Sequence, residues 1–183
     1  MSRWAWVPNA LTISRLAALP LLLVVLIRAD GPTSGAAAAI FGVVGATDFL
    51  DGRLARRLGA ESRFGRIADP LADRLLIAVG LVGVILLGRL HPAGPAILLT
   101  RDVLLMLGFW LMLRRGVEMR VDMAGKITSA LTMIGTGGAI LFDELWVDVI
   151  FWLAVALAIA TFANYLRLAI AALRAQHAAS TRP

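Results

Sequence analysis

At 183 residues the chain has the length of a single domain. It is 60% hydrophobic and only 16% charged, where soluble domains carry about 45–50% and about 25%, and its mean hydropathy is +0.83. This excludes an ordinary soluble core and predicts an all-α integral membrane protein. The net charge of +6 does not argue for nucleic acid, which needs a basic face on a soluble domain; arginines flanking membrane spans and facing anionic lipid account for it.

The first apolar stretch covers about 10–28, with Arg15 and Pro20 inside it. Arg15 splits the run and no small-x-small site follows, so it reads as a span rather than a cleaved signal peptide. Trp4 and Trp6 beside Arg3 predict a short N-terminal interfacial segment ahead of it. Five more stretches follow, at about 36–56, 67–88, 94–113, 125–142 and 146–172. Each is long enough to cross about 30 Å of hydrocarbon as a helix. Loop-like breaks fall at 29–34, 91–93, 114–116 and 142–144.

Basic residues assign the two sides. One side takes Arg3, Arg53, Arg56, Arg57, Arg63, Arg66, Arg114, Arg115, Arg120, Lys126, Arg167, Arg174 and Arg182. The other takes Arg28 and Arg89 with Asp30, Asp143, Glu144 and Asp148. The excess of Arg and Lys marks the cytoplasmic side, which predicts six transmembrane helices with both termini cytoplasmic. Residues 1–183 read as one membrane domain, with a flexible tail at about 175–183. Arginine outnumbers lysine 17 to 1 and alanine is abundant, which points to a GC-rich bacterial genome and so to a plasma membrane.

Cysteine is absent and the only histidines are His91 and His177. Thiolate and imidazole metal sites are thereby excluded, and a metal would rest on carboxylates, as a hard divalent cation does. Asp48, Asp51, Asp69 and Asp73 lie within or at the ends of spans, where an ionisable group is costly and marks a site by default. At about 100° per residue, Asp48, Asp51, Gly52, Ala55 and Arg56 share a helix face about 140° wide. Gly65, Asp69 and Asp73, spaced i, i+4, i+8, drift only about 80°. Two antiparallel neighbours can therefore turn four carboxylates into one gap. Such a group needs protonation or a multivalent cation, and a pair of magnesium-like ions suits phosphoryl transfer. Gly52, Ala55 and Gly65 leave the facing surfaces bare for a bulky ligand, and Arg56 can grip a phosphate. Pro70, more than two turns into a helix capped by Ser62, predicts a local kink. Helix-end aspartates paired with surface arginines, or a proton or ion pathway, are the competing readings; neither requires the small residues and Arg56.

The pattern Asp48-x-x-Asp51-Gly52-x-x-Ala55-Arg56, eight residues, Gly65-x-x-x-Asp69-x-x-x-Asp73 resembles the full signature of the CDP-alcohol phosphotransferase (CDP-alcohol phosphatidyltransferase) family. The six-helix plan is similar too, and Pro8-Asn9-Ala10-Leu11-Thr12-x-x-Arg15 resembles the opening of bacterial members that make phosphatidylglycerophosphate or cardiolipin. The resemblance implies Asp48, Asp51, Asp69 and Asp73 as ligands of two Mg2+ or Mn2+ ions. It also implies Gly52, Ala55, Arg56 and Gly65 around a CDP-lipid, with CDP-diacylglycerol expected. Asp73 is implied as the base that takes the proton from an acceptor hydroxyl, with CMP as the leaving group and a homodimer as the assembly.

Within the fourth and fifth spans, Thr100-Arg101-Asp102 and Gly125-Lys126 are polar breaks. In the family the matching positions help line a pocket for the acceptor's phosphate, so Arg101 and Lys126 are implied as acceptor-binding. The bland alternative pairs Arg101 with Asp102 and lets Lys126 reach the interface; Arg15 fits either the pocket or an aspartate. Arg101-Asp102 with Gly125-Lys126 is more similar to cardiolipin-forming members, so phosphatidylglycerol is the expected acceptor and glycerol 3-phosphate the alternative. Two other classes stay open. A small ion or proton transporter would use the aspartates as its path. A membrane scaffold would pack through Gly42, Gly45, Gly80 and Gly83.

Overall fold

The computed structural model describes residues 6–58, 65–114 and 123–180, with side chains for 13–47, 72–112, 114 and 123–174. Among the described residues there are six helices and no strand: α1 (Trp6–Ile27), α2 (Gly35–Leu58), α3 (Gly65–Leu86), α4 (Ala93–Arg114), α5 (Met123–Leu141) and α6 (Leu145–Ser180). Each of the six apolar stretches falls on one of them. Trp6, expected in an interfacial segment, is the first residue of α1. Residues 1–5, Ser62 and the loop 115–122 lie outside the described residues. Helix α3 is continuous across Pro70. Helix α6 stays helical to Ser180, over most of the segment expected as a tail.

The helix ends follow from local chemistry. Ser34 caps α2, its Oγ accepting from the Ala37 amide at 3.2 Å. Gly88 ends α3 at φ +62°, where the Arg89 amide reaches back to the Val84 carbonyl and the Gly88 amide to that of Ile85. This pairing needs a residue that tolerates the left-handed region. His91 Nδ1 accepts from the Ala93 amide at the start of α4.

The three short loops gather at one end of the bundle. The Ser34 amide donates to the Ile140 carbonyl at 2.8 Å, tying the α1–α2 loop to the end of α5. Arg89 crosses from the α3–α4 loop to the α5–α6 loop. Its Nε donates to the Phe142 carbonyl at 3.1 Å, and its guanidinium lies against Asp143 (3.1 Å) and Asp148 (2.7 Å). The residues assigned by charge to one face, Arg89, Asp143, Glu144 and Asp148, are therefore together. The second half of α2 and the first half of α3 point to the opposite end.

Packing places α3 at the centre, against α1, α2, α4 and α5, while α6 closes on α5 and α4. The core between them is Leu22, Leu26, Phe41, Leu81, Val84, Leu98, Ile140, Val147 and Phe151, all fully buried. Small residues permit the close approaches. A Cβ at Gly80 would meet Phe41 and Thr136, and one at Gly83 would meet Leu26. At Gly45 it would run into the Met133 side chain. Gly42 faces open space and packs nothing. The tightest backbone approach is Gly135 of α5, where a Cβ would sit 3.1 Å from the Phe151 Cα of α6.

The outside of α4 and α6 is apolar. Val103, Leu104, Leu107, Phe109 and Trp110 on α4 are exposed, as are Trp146, Val149, Trp152 and Leu153 on α6. A helix apolar all round yet not buried in its own protein suits a lipid surround. Two helices, over Ala93–Met112 and Leu145–Arg174, are long and apolar enough to cross a membrane and are for the most part unburied. Polar residues interrupt the other four: Arg15 in α1, the acidic and basic second half of α2, Arg66 to Arg74 in α3, and Lys126 with a series of threonines in α5.

Candidate active site

Asp48, Asp51, Gly52, Ala55 and Arg56 lie in one unbroken helix, α2, and Gly65, Asp69 and Asp73 in another, α3. Each set therefore lies within a single helical run, and α2 packs against α3. Both sets belong to the end of the bundle opposite the three short loops. The side chains of Asp48, Asp51, Arg56 and Asp69 are outside those described. Asp73 is half-buried and engaged in a contact.

Among the described side chains no three carboxylates or imidazoles converge, and three of the four motif aspartates are not in that set. The donor set itself fits a hard divalent cation: four carboxylates on two packed helices, with no sulfur and no imidazole in the motif.

One turn-fraction beyond Asp73, the structure assembles a cationic cluster that the spacing alone did not reveal. Asp102 of α4 receives Arg74 of α3 on its Oδ1 at 2.6 Å and its own neighbour Arg101 on the same oxygen at 2.8 Å. Arg101 is 7% exposed, Asp102 14% and Arg74 30%. From α6, Thr161 completes the cluster: Arg101 Nη2 donates to its Oγ1 at 3.3 Å. The Thr161 hydroxyl proton is committed to the Leu157 or Ala158 carbonyl, so the lone pair is what faces the arginine. Arg101 Nε is buried with no hydrogen-bond partner. Two guanidinium groups therefore share one carboxylate oxygen of Asp102.

The pairing of Arg101 with Asp102 is thus present, and it leaves Nε of the arginine over. Lys126 stands exposed on the first turn of α5, and no hydrogen bond or ion pair among the described residues joins it to Arg101. Arg15 is buried and engaged. Arg74 and Thr161 were missed as site residues. Thr161 was findable, since it continues the buried stripe Phe151, Ala154, Val155 and Ala158 at helical spacing.

The CDP-alcohol phosphatidyltransferase family profile matches residues 5–160. A cardiolipin synthase (CMP-forming) of Streptomyces coelicolor is 38% identical over 124 residues, 66% of this chain and 58% of that protein. A probable phosphatidylglycerophosphate synthase of Mycobacterium tuberculosis is 34% identical over 139 residues, 74% of this chain and 66% of that protein. In both cases the matched segment spans less than two thirds of the relative's length. The CDP-diacylglycerol–glycerol-3-phosphate 3-phosphatidyltransferase of Escherichia coli is 29% identical over 172 residues, 87% of this chain and 92% of that protein. With its motif on two packed helices and the profile covering most of its length, the chain belongs to the CDP-alcohol phosphatidyltransferase family.

Proposed function

We propose that the protein transfers the phosphatidyl group of CDP-diacylglycerol to an anionic alcohol and releases CMP, in glycerophospholipid synthesis. The observation that carries this reading is the family motif running through α2 and α3 beside a buried, incompletely paired arginine, Arg101.

Asp48, Asp51, Asp69 and Asp73 hold divalent metal, Mg2+ or Mn2+. Bound there, the metal supplies Lewis-acid stabilisation of negative charge on the pyrophosphate and on departing CMP. Arg56 grips a phosphate of the CDP-lipid, and Gly52, Ala55 and Gly65 give the nucleotide room. Asp73 accepts the proton of the acceptor hydroxyl. The acceptor oxygen then bonds to the lipid-side phosphorus in line, and the bond from that phosphorus to the oxygen of CMP breaks. Arg101 and Lys126 hold the acceptor's own phosphate, fixing its hydroxyl for attack.

The acceptor we favour is phosphatidylglycerol, giving cardiolipin, supported by the Streptomyces relative at 38% identity. Glycerol 3-phosphate is the second reading, supported by the names of the Mycobacterium and Escherichia relatives. Each of the six helices has at least 19 residues, about 28 Å, close to the hydrocarbon thickness. This supports six spans in a bacterial plasma membrane with both termini and the motif on the cytoplasmic side, the side that holds most of the arginines. The family resemblance supports a homodimer. Purified protein given labelled CDP-diacylglycerol and manganese tests all of this, with phosphatidylglycerol, glycerol 3-phosphate and inositol phosphate in parallel. Metal-dependent CMP release with phosphatidylglycerol is expected. Cation flux in liposomes without CMP release would sink the proposal in favour of a transporter.

A further inference from the structure

From the shared-carboxylate geometry we infer that Asp102 is a positioning residue for the transfer: it fixes the Arg101 guanidinium that receives the acceptor's anionic group, and it ties that arginine to α3 through Arg74. The inference deepens the proposed function and rests on its assignment of Arg101 to the acceptor.

Three helices meet at this point. Asp102 and Arg101 come from α4, Arg74 from α3 and Thr161 from α6. Asp102 Oδ1 and Thr161 Oγ1 hold Nη1 and Nη2 of Arg101, while Nε, equally buried, has no partner. A guanidinium held at two nitrogens with its third buried and unpartnered is preorganised for an anion. Arg74 directly follows Asp73 in α3. The Arg74–Asp102 link at 2.6 Å therefore sets the depth of the acceptor cation relative to the aspartate proposed to take the proton. Asp102 itself touches neither substrate; it acts through Arg101.

Charge and positioning predict opposite signs, which makes the idea testable. Asp102→Asn raises the net charge of the cluster. If charge were all that mattered, an anionic acceptor would bind more tightly. If Asp102 positions Arg101, the guanidinium loses its anchor and the acceptor binds more weakly.

The experiment measures CMP release from CDP-diacylglycerol with manganese, varying phosphatidylglycerol and glycerol 3-phosphate in separate series. For Asp102→Asn the acceptor KM is expected to rise by about tenfold or more, the loss of a charge-assisted hydrogen bond, with the KM for CDP-diacylglycerol within twofold. Asp102→Glu restores the carboxylate and should recover part of the loss. Asp102→Asn leaves the buried Arg101 facing the half-buried Arg74 and risks misfolding. The double variant Arg74→Leu with Asp102→Asn returns the net charge to that of the wild type while still freeing Arg101, and its acceptor KM should also rise. An acceptor KM that stays or falls in the folded double variant overturns the inference. Wild-type protein that releases no CMP with either acceptor removes the functional reading itself, and this inference with it.

Discussion

Arg89→Met should destabilise the bundle while leaving the motif helices chemically intact. The side chain is 5% exposed and bridges two loops. Its partners are not equal. Asp143 is 62% exposed, so water screens that pair to about 0–0.5 kcal/mol. The Glu144 carbonyl lies 3.4 Å from Nη2, too long to contribute much. Asp148 is 31% exposed and 2.7 Å away, but its Oδ1 is buried without hydrogen-bond alignment. Removing the arginine leaves that carboxylate unpaired at a cost of about 1–2 kcal/mol. The Phe142 carbonyl, at 3.1 Å, loses a charged donor at about 1 kcal/mol. Methionine keeps most of the apolar stem, so the sum is about 2–3 kcal/mol. For a chain of this size that is a fall in Tm of roughly 4–12 °C, read by thermal unfolding of protein in detergent. Asp148→Asn should cost about half as much, and Asp143→Asn about 2 °C or less. Equal losses at Asp143 and Asp148, or a fall under about 1 °C for Arg89→Met, would refute the ranking by burial.

Gly135→Leu should unfold or misassemble the α5–α6 pair. The neighbour there is the Phe151 backbone, which cannot rotate away; a drop in monodisperse yield on size exclusion checks it, with Gly42→Leu, facing open space, as the tolerated control. Asp73→Asn is expected to keep the fold but lower CMP release by at least about 100-fold; near wild-type turnover would remove its assignment as base. Chelation of divalent metal should abolish CMP release, and Mg2+ or Mn2+ should restore it where Ca2+ restores less, because a two-ion phosphoryl site favours the smaller cations.

The helices were legible because their apolar runs are long and their breaks carry Gly, Pro and charge. The break between α3 and α4 at His91-Pro92 is read directly from turn chemistry. The grouping of Arg89 with its acidic partners was legible for the same reason, since they are scarce charges in an apolar chain and meet at one end of the bundle. The α2 and α3 motif is local, so spacing alone places each half of it on one helix face. The cluster around Asp102 is different. Arg74, Asp102 and Thr161 are far apart in sequence and belong to three helices, and no period within one helix predicts which faces meet. Asp102 seemed a simple neighbour for Arg101 because sequence shows adjacency but not a second arginine arriving from α3. The small residues misled once for a related reason. Gly42 and Gly45 look alike in sequence, yet only Gly45 turns towards a neighbour, Met133.

The arginine cluster also has an energetic logic that stability alone does not supply. An ion pair in a low-dielectric interior is at best near neutral for folding once desolvation is counted. A second guanidinium on the same carboxylate adds a further desolvation cost, and Arg101 keeps a buried Nε with no hydrogen-bond partner. A bundle selected only for packing would place leucine at 74 or 101. Retaining both arginines makes sense if an anion completes the site, since its phosphate would pair with guanidinium charge and satisfy Nε together. On that argument the acceptor should stabilise the folded protein without CDP-lipid or metal. Glycerol 3-phosphate or phosphatidylglycerol micelles should raise Tm, and a lipid with a zwitterionic head group should not. Arg101→Met should erase the shift, even if it leaves the unliganded protein no less stable than the wild type.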